Sequence, residues 1–167
     1  MATIALYLIR HGLAADRDDE YPDDAKRPLT SEGVSRLRKE AKGLQALGVV
    51  FDQILTSPLV RAKQTAEVIA QGQDEKVPVA QLDALAPGGT PAQVVHALVE
   101  YSQRRSIALV GHEPNMGELA AKLLGTRTPV PFKKGAICCI EFEALPPAKP
   151  GSLAWFATPR MLRKLAQ

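Results

Sequence analysis

Short β-rich runs alternating with capped helical segments constrain this chain more than any other feature. Thr3 to Ile9, Phe51 to Thr56 and Ser106 to Val110 are bounded by turn residues, the pattern of strands buried on both faces of a parallel sheet. Val77 to Ala80, Ala136 to Phe142 and Leu153 to Ala157 supply further strands. Between them, Thr30 is placed to cap a helix in which Val34, Leu37, Ala41, Leu44 and Leu47 recur at helical spacing, with Gly48 to end it. Ser57-Pro58 and Thr90-Pro91 each pair an N-cap residue with proline at the first helical position, opening segments that end near Gly72 and Arg105. Pro114 opens another, ending near Gly125. This alternation implies an α/β fold, a three-layer α/β/α sandwich with a mostly parallel central sheet that binds ligands beyond the carboxyl ends of its strands.

Size and composition set the outer limits. The 167 residues suit one domain spanning 1–167, with no internal repeat and no linker. A net charge of +3 is too mild to require nucleic acid as partner. The apolar run that starts at Thr3 has no basic region before it and is ended by Arg10-His11, far short of a membrane span. The expectation is a cytoplasmic protein that engages no membrane. Cys138 and Cys139 are adjacent and cannot close a long-loop disulfide, so they are read as core thiols.

The strand-end rule selects the residues to examine. Thr3 to Ile9 delivers Arg10-His11-Gly12, and Ser106 to Val110 delivers Gly111-His112-Glu113, bringing two histidines to one sheet edge. Phe51 to Thr56 runs into a helix whose first turn carries Arg61, where the dipole favours an anion. Two arginines and two histidines from three strand ends suit a phosphate or other oxyanion with dispersed charge. His96 falls on the side of its helix away from Val94, Leu98 and Tyr101, reads as solvated, and is left out of the site.

With Leu8-Ile9-Arg10-His11-Gly12, then Thr56-Ser57-Pro58-Leu59-Val60-Arg61-Ala62-Lys63-Gln64-Thr65-Ala66, then Val110-Gly111-His112, the chain resembles the histidine phosphatase superfamily, which includes the phosphoglycerate mutases. Its short length, Arg27-Pro28-Leu29-Thr30, Gly111-His112-Glu113-Pro114-Asn115 and Thr158-Pro159-Arg160 further resemble the SixA-type phosphohistidine phosphatases. The resemblance implies a phosphoglycerate mutase-like fold and a metal-independent phosphatase needing no cofactor. It implies His11 as the nucleophile that becomes phosphorylated, Arg10 and Arg61 as the clamp, and His112 on the same phosphate as a protonated donor. The implied partner is a phosphorylated protein, either a phosphotransfer domain or a sugar-transport phosphocarrier.

One departure bears on the substrate. Phosphoglycerate-mutase-like relatives carry a glutamate shortly after the third strand to protonate an oxygen leaving group, whereas this chain reads Gln81-Leu82-Asp83-Ala84-Leu85-Ala86-Pro87. Only Asp83 is near that place, either as an acid or as the cap of a turn. An imidazole can leave already protonated, so a site without a dedicated acid favours N–P over O–P cleavage. Small phosphate esters, mutase chemistry and non-catalytic binding of a phosphoprotein remain as alternatives. The acidic run Asp16 to Asp24 reads as a solvated loop, or as a segment that orients a basic partner.

Overall fold

The computed structural model describes residues 3–167. Six strands form one sheet: β1 (Ile4–Arg10), β2 (Gln53–Thr56), β3 (Val79–Gln81), β4 (Ser106–Gly111), β5 (Ile137–Phe142) and β6 (Ser152–Ala157). Their spatial order is β3-β2-β4-β1-β5-β6. The pairs β3/β2, β2/β4 and β4/β1 are parallel, while β5 runs antiparallel to both β1 and β6. The mostly parallel sheet expected from the sequence is therefore present, with one reversed strand.

Five helices cover the two faces: α1 (Ser31–Ala46), α2 (Val60–Gln71), α3 (Pro91–Ala97), α4 (Asn115–Leu124) and α5 (Pro159–Leu165). Alternating strand residues sort into two cores, as the two-residue period of a strand requires. Leu6, Leu8, Ile107 and Leu109 pack with Val94, Leu119 and Leu123 of α3 and α4. On the other face Ile9, Ala108 and Val110 pack with Leu44, Ala66, Ile69 and Leu162 of α1, α2 and α5. Cys138 and Cys139 are buried free thiols in β5.

Thr30 caps α1 as expected, its hydroxyl accepting from the Gly33 amide at 2.9 Å. Thr90 and Gln93 close a reciprocal capping box at α3. That helix stops at Ala97, short of Arg105, and tightens into a 3-10 turn over Leu98–Tyr101 that packs Leu98 and the Tyr101 ring on the core. Ser57-Pro58 does not open α2, because the helix starts at Val60 behind Leu59, with no side-chain cap. The Ser57 hydroxyl is drawn instead to a tertiary partner described below. Helix α5 lies outside the helices read from the sequence, although Thr158-Pro159 repeats the Thr90-Pro91 signal and Thr158 accepts from the Met161 amide at 3.2 Å.

Candidate active site

Chain connectivity creates the crevice. After β1 and β2 the chain crosses on the α1/α2 face, whereas after β3 and β4 it crosses on the α3/α4 face. The neighbouring strands β1 and β4 thus send their continuations to opposite sides, leaving a crevice at their carboxyl ends. His11 and His112 leave the sheet there, with ring centroids 5.1 Å apart.

His11 is held by its backbone. Its amide donates to the Gly111 carbonyl at 3.0 Å, and its carbonyl accepts from the Gly135 amide at 3.0 Å. Gly135 is in the left-handed region, φ 89°, where a side chain would also meet the Glu40 carboxylate. The Gly12 amide donates to Thr65 Oγ1 at 3.1 Å, and that hydroxyl donates to the Arg61 carbonyl at 2.8 Å. A side chain on Gly12 would lie 2.6 Å from Leu37 Cδ1, so glycine allows α1 its close approach to the turn.

The His11 imidazole is fixed in one tautomer. Nδ1 lies 2.7 Å from the Gly12 carbonyl, which only accepts, so the ring proton sits on Nδ1 and Nε2 carries the lone pair. Arg61 Nε points at that lone pair at 3.4 Å. Burial, reinforced by the His112, Arg61 and Arg10 charges against the pull of the Gly12 carbonyl, lowers the ring to about 3. His11 is therefore neutral at physiological pH.

Arg61 is 4% exposed and is anchored from the acidic run. Its Nη1 donates to the Asp24 carbonyl at 2.8 Å and its Nη2 to Asp24 Oδ2 at 3.0 Å. Burial alone would raise the Asp24 carboxyl, but its bonds to Arg27 and Arg61 prevail and hold it below the usual range. Asp24, though half-exposed, is thus committed to two arginines, so the solvated-loop reading of Asp16 to Asp24 does not hold at this position. On the other side, Arg10 Nη1 donates to the Phe132 carbonyl at 2.8 Å, while its buried Nε has no partner among the described residues. A second orphan is His112 Nδ1.

His112 is neutral in the free protein. Burial, together with Arg61, Arg10 and Arg27 and against Asp24, lowers its ring to about 4, so the ring is not the protonated donor expected from the sequence. Its Nε2 lies 2.7 Å from Ser57 Oγ. Ser57, fully buried, also accepts from the Leu59 amide at 3.2 Å, so its hydroxyl proton is available to His112 Nε2. With Nε2 accepting, the single ring proton resides on Nδ1, the atom without a protein partner.

Arg10, His11, Arg61 and His112 converge at one sheet edge, and neither Asp83 nor His96 makes a hydrogen bond or ion pair with them among the described residues. Asp83 is exposed and accepts from Gln81 Nε2 at 2.8 Å; His96 is exposed on α3. The Glu113 oxygens accept from the Gly117 and Phe132 amides at 2.7 and 3.2 Å. Sequence reasoning missed Ser57 and Asp24, whose partners lie 55 and 37 residues away. It quoted Gln64 and Thr65 without a task; one helical turn beyond Arg61, they hold the Leu29 and Gly12 amides. Among the described residues no group of three or more His, Cys, Asp or Glu is placed to hold a metal ion, and no helix is long and apolar enough to cross a membrane.

Residues 6–86 match the histidine phosphatase superfamily (branch 1). An uncharacterised protein of Picosynechococcus sp. is 44% identical over 117 residues, 69% of this chain and 70% of that one. Phosphohistidine phosphatase SixA of Escherichia coli is 29% identical over 160 residues, 95% of this chain and 96% of its own. The solved structure of the protein histidine phosphatase SixA complexed with tungstate superimposes with a TM-score of 0.84 at 28% identity, covering 94% of this chain and 98% of the other. A phosphoglycerate mutase of Bacillus anthracis gives a TM-score of 0.70 at 14% identity over 99% of this chain and 98% of its own, a likeness of fold alone.

Proposed function

Since the chain belongs to the histidine phosphatase superfamily, we propose that it hydrolyses phosphohistidine on proteins through a phosphoryl intermediate on His11. The observation that carries this reading is the His11 ring: buried, neutral and locked with its Nε2 lone pair facing Arg61. In the first step the Nε2–P bond forms as the partner's N–P bond breaks in line. The partner ring keeps the proton on its second nitrogen and leaves as neutral imidazole. Water then attacks phosphorus, the Nε2–P bond breaks, the water proton leaves with phosphate or solvent, and His11 regains its starting tautomer. Its Nδ1 proton stays on the ring throughout, donated to the Gly12 carbonyl.

Arg10 and Arg61 clamp the equatorial oxygens, and the orphaned donors Arg10 Nε and His112 Nδ1 supply the hydrogen bonds that grow as charge develops. Support for a nitrogen leaving group comes from the carboxylates. Asp24 is held anionic by two arginines, Glu113 is spent on backbone amides, and Asp83 is exposed on Gln81. The likeness to SixA over nearly the whole chain adds to this reading. It is tested by comparing kcat/KM for a histidine-phosphorylated protein, an aryl phosphate and an alkyl phosphate. Phosphohistidine should lead the alkyl ester by orders of magnitude, with the aryl ester between; comparable rates on alkyl ester and phosphohistidine would refute it.

A further inference from the structure

Helices α1 and α5 form a strongly basic face that begins beside the nucleophile. The two helices approach closely: Gly43 of α1 has no room for a side chain against the Leu162 carbonyl of α5. Between them run two adjoining crevices, of about 310 and 450 Å³, which share Arg160 and Arg163. The first starts at Gly12, the residue after His11, and is walled by Arg36 of α1 and by Lys133 and Lys134 from the loop that holds the His11 carbonyl. The second continues past Lys39 and Lys42 of α1 to Lys164 of α5.

The charges here are not neutralised within the fold. Arg36 pairs with Glu32, and Arg163 lies 4.0 Å from Glu40. The other six cations, Lys39, Lys42, Lys133, Lys134, Arg160 and Lys164, have no carboxylate within ion-pair distance among the described residues. Glu40, 2% exposed, lines the first crevice with its Oε2 unpartnered, and its other oxygen faces Arg163 from the α1 side. Like charges gathered on two packed helices repel one another, a cost that an anionic surface laid across them reverses. Neither crevice has an aromatic side chain in its walls, so neither offers the aromatic platform on which single-stranded nucleic acid stacks its bases.

We infer that the α1/α5 face is the docking surface for the phosphoprotein substrate, which carries its phosphohistidine beside a surface rich in aspartate and glutamate. This rests on the reaction proposed above and names the partner's chemistry. Docking along α1 and α5 brings the partner's phosphoryl group to the sheet edge at Gly12, while the basic face steers its approach.

Two phosphohistidine peptides, flanked on both sides by glutamates or by lysines, provide the test alongside free phosphohistidine. At low salt the glutamate peptide should exceed the lysine peptide about ten-fold or more in kcat/KM. The advantage should vanish at 1 M salt, where the screening length is about 3 Å. It should also vanish in the triple variant K39E/R160E/K164E, which should turn over free phosphohistidine within about two-fold of wild type. An equal rate on both peptides, or an advantage that survives the triple variant, overturns the proposal. Binding is read separately from turnover: in His11→Ala, an unphosphorylated glutamate peptide should shift NMR signals of α1 and α5, and a single-stranded oligonucleotide of equal charge should bind less tightly. Tighter oligonucleotide binding overturns the assignment to a protein. Failure to cleave any phosphohistidine while the glutamate peptide still binds this face would count against the reaction alone.

Discussion

Ser57→Ala probes how His112 is prepared for phosphoryl transfer. In the native protein the Ser57 hydroxyl, 2.7 Å from Nε2, places the one proton of a neutral ring on Nδ1. Without the hydroxyl, Nε2 loses its partner and the proton is free to move there, presenting a lone pair on Nδ1 to the phosphoryl oxygens. Restoring the productive tautomer costs at least one ordinary hydrogen bond, about 1 to 1.5 kcal/mol. Losing the donor outright costs about 100-fold or more in kcat, as removal of an oxyanion donor does elsewhere. The expected fall in kcat is therefore about 10- to 100-fold. KM should move less than about three-fold, because Arg10 and Arg61 still bind the ground state. Steady-state kinetics on a phosphohistidine substrate read the split, and ¹⁵N NMR of the His112 ring reads the tautomer directly. A wild-type ring protonated on Nε2, or a Ser57→Ala enzyme with kcat within about two-fold of wild type, would refute the reasoning.

His11→Ala should abolish turnover, and acid-labile phosphate trapped on wild-type His11 should be missing from the variant; label trapped elsewhere would remove the mechanism. Arg61→Ala should lower kcat more than it raises KM, since its contact strengthens during transfer. The buried histidines set an acid limit to stability: their folded values, about 3 and about 4, lie below the ordinary 6.5, so the unfolded chain binds more protons as pH falls from 6.5. Each ring should withdraw about 3 to 5 kcal/mol by the time pH has fallen through its folded value, which denaturant titrations between pH 7 and 4 would follow. Glu40 acts with the opposite sign, because burial, opposed by Arg163 and Arg36, raises it from 4.5 to about 8. Stability should be lost as pH rises from 4.5 through 8, and Glu40→Gln should remove that alkaline slope.

Legibility followed the range of each interaction. Arg10, His11 and His112 were readable because an apolar run ending in polar residues marks a strand end, a signal contained within about ten residues. The Ser57-Pro58 reading failed because cap statistics weigh only neighbours, whereas the Ser57 hydroxyl is committed to a histidine from another strand end. Asp24 was obscured by its acidic neighbours, since the charge of Asp16 to Asp24 is visible in the sequence but the reach of Arg61 is not. The protonation of His112 depends on burial between two helical layers, which no local pattern reports. The reversed direction of β5 is likewise a matter of tertiary connection, because an apolar run reads the same in either sense.

The backbone grip on His11 has a temporal consequence for the reaction proposed here. With the amide bonded to Gly111, the carbonyl to Gly135, the following amide to Thr65 and the ring Nδ1 to the Gly12 carbonyl, both backbone and imidazole are held in one pose for transfer and for hydrolysis. Both half-reactions must use one fixed line through phosphorus, so water has to arrive along the path by which the partner's ring departed. The carrier protein must therefore vacate the mouth of the site before hydrolysis begins, making its release an obligatory middle event of the cycle. A partner that lingers on the enzyme would protect the phosphoenzyme and could recapture its phosphate, so fast dissociation, more than tight binding, would make dephosphorylation a one-way process.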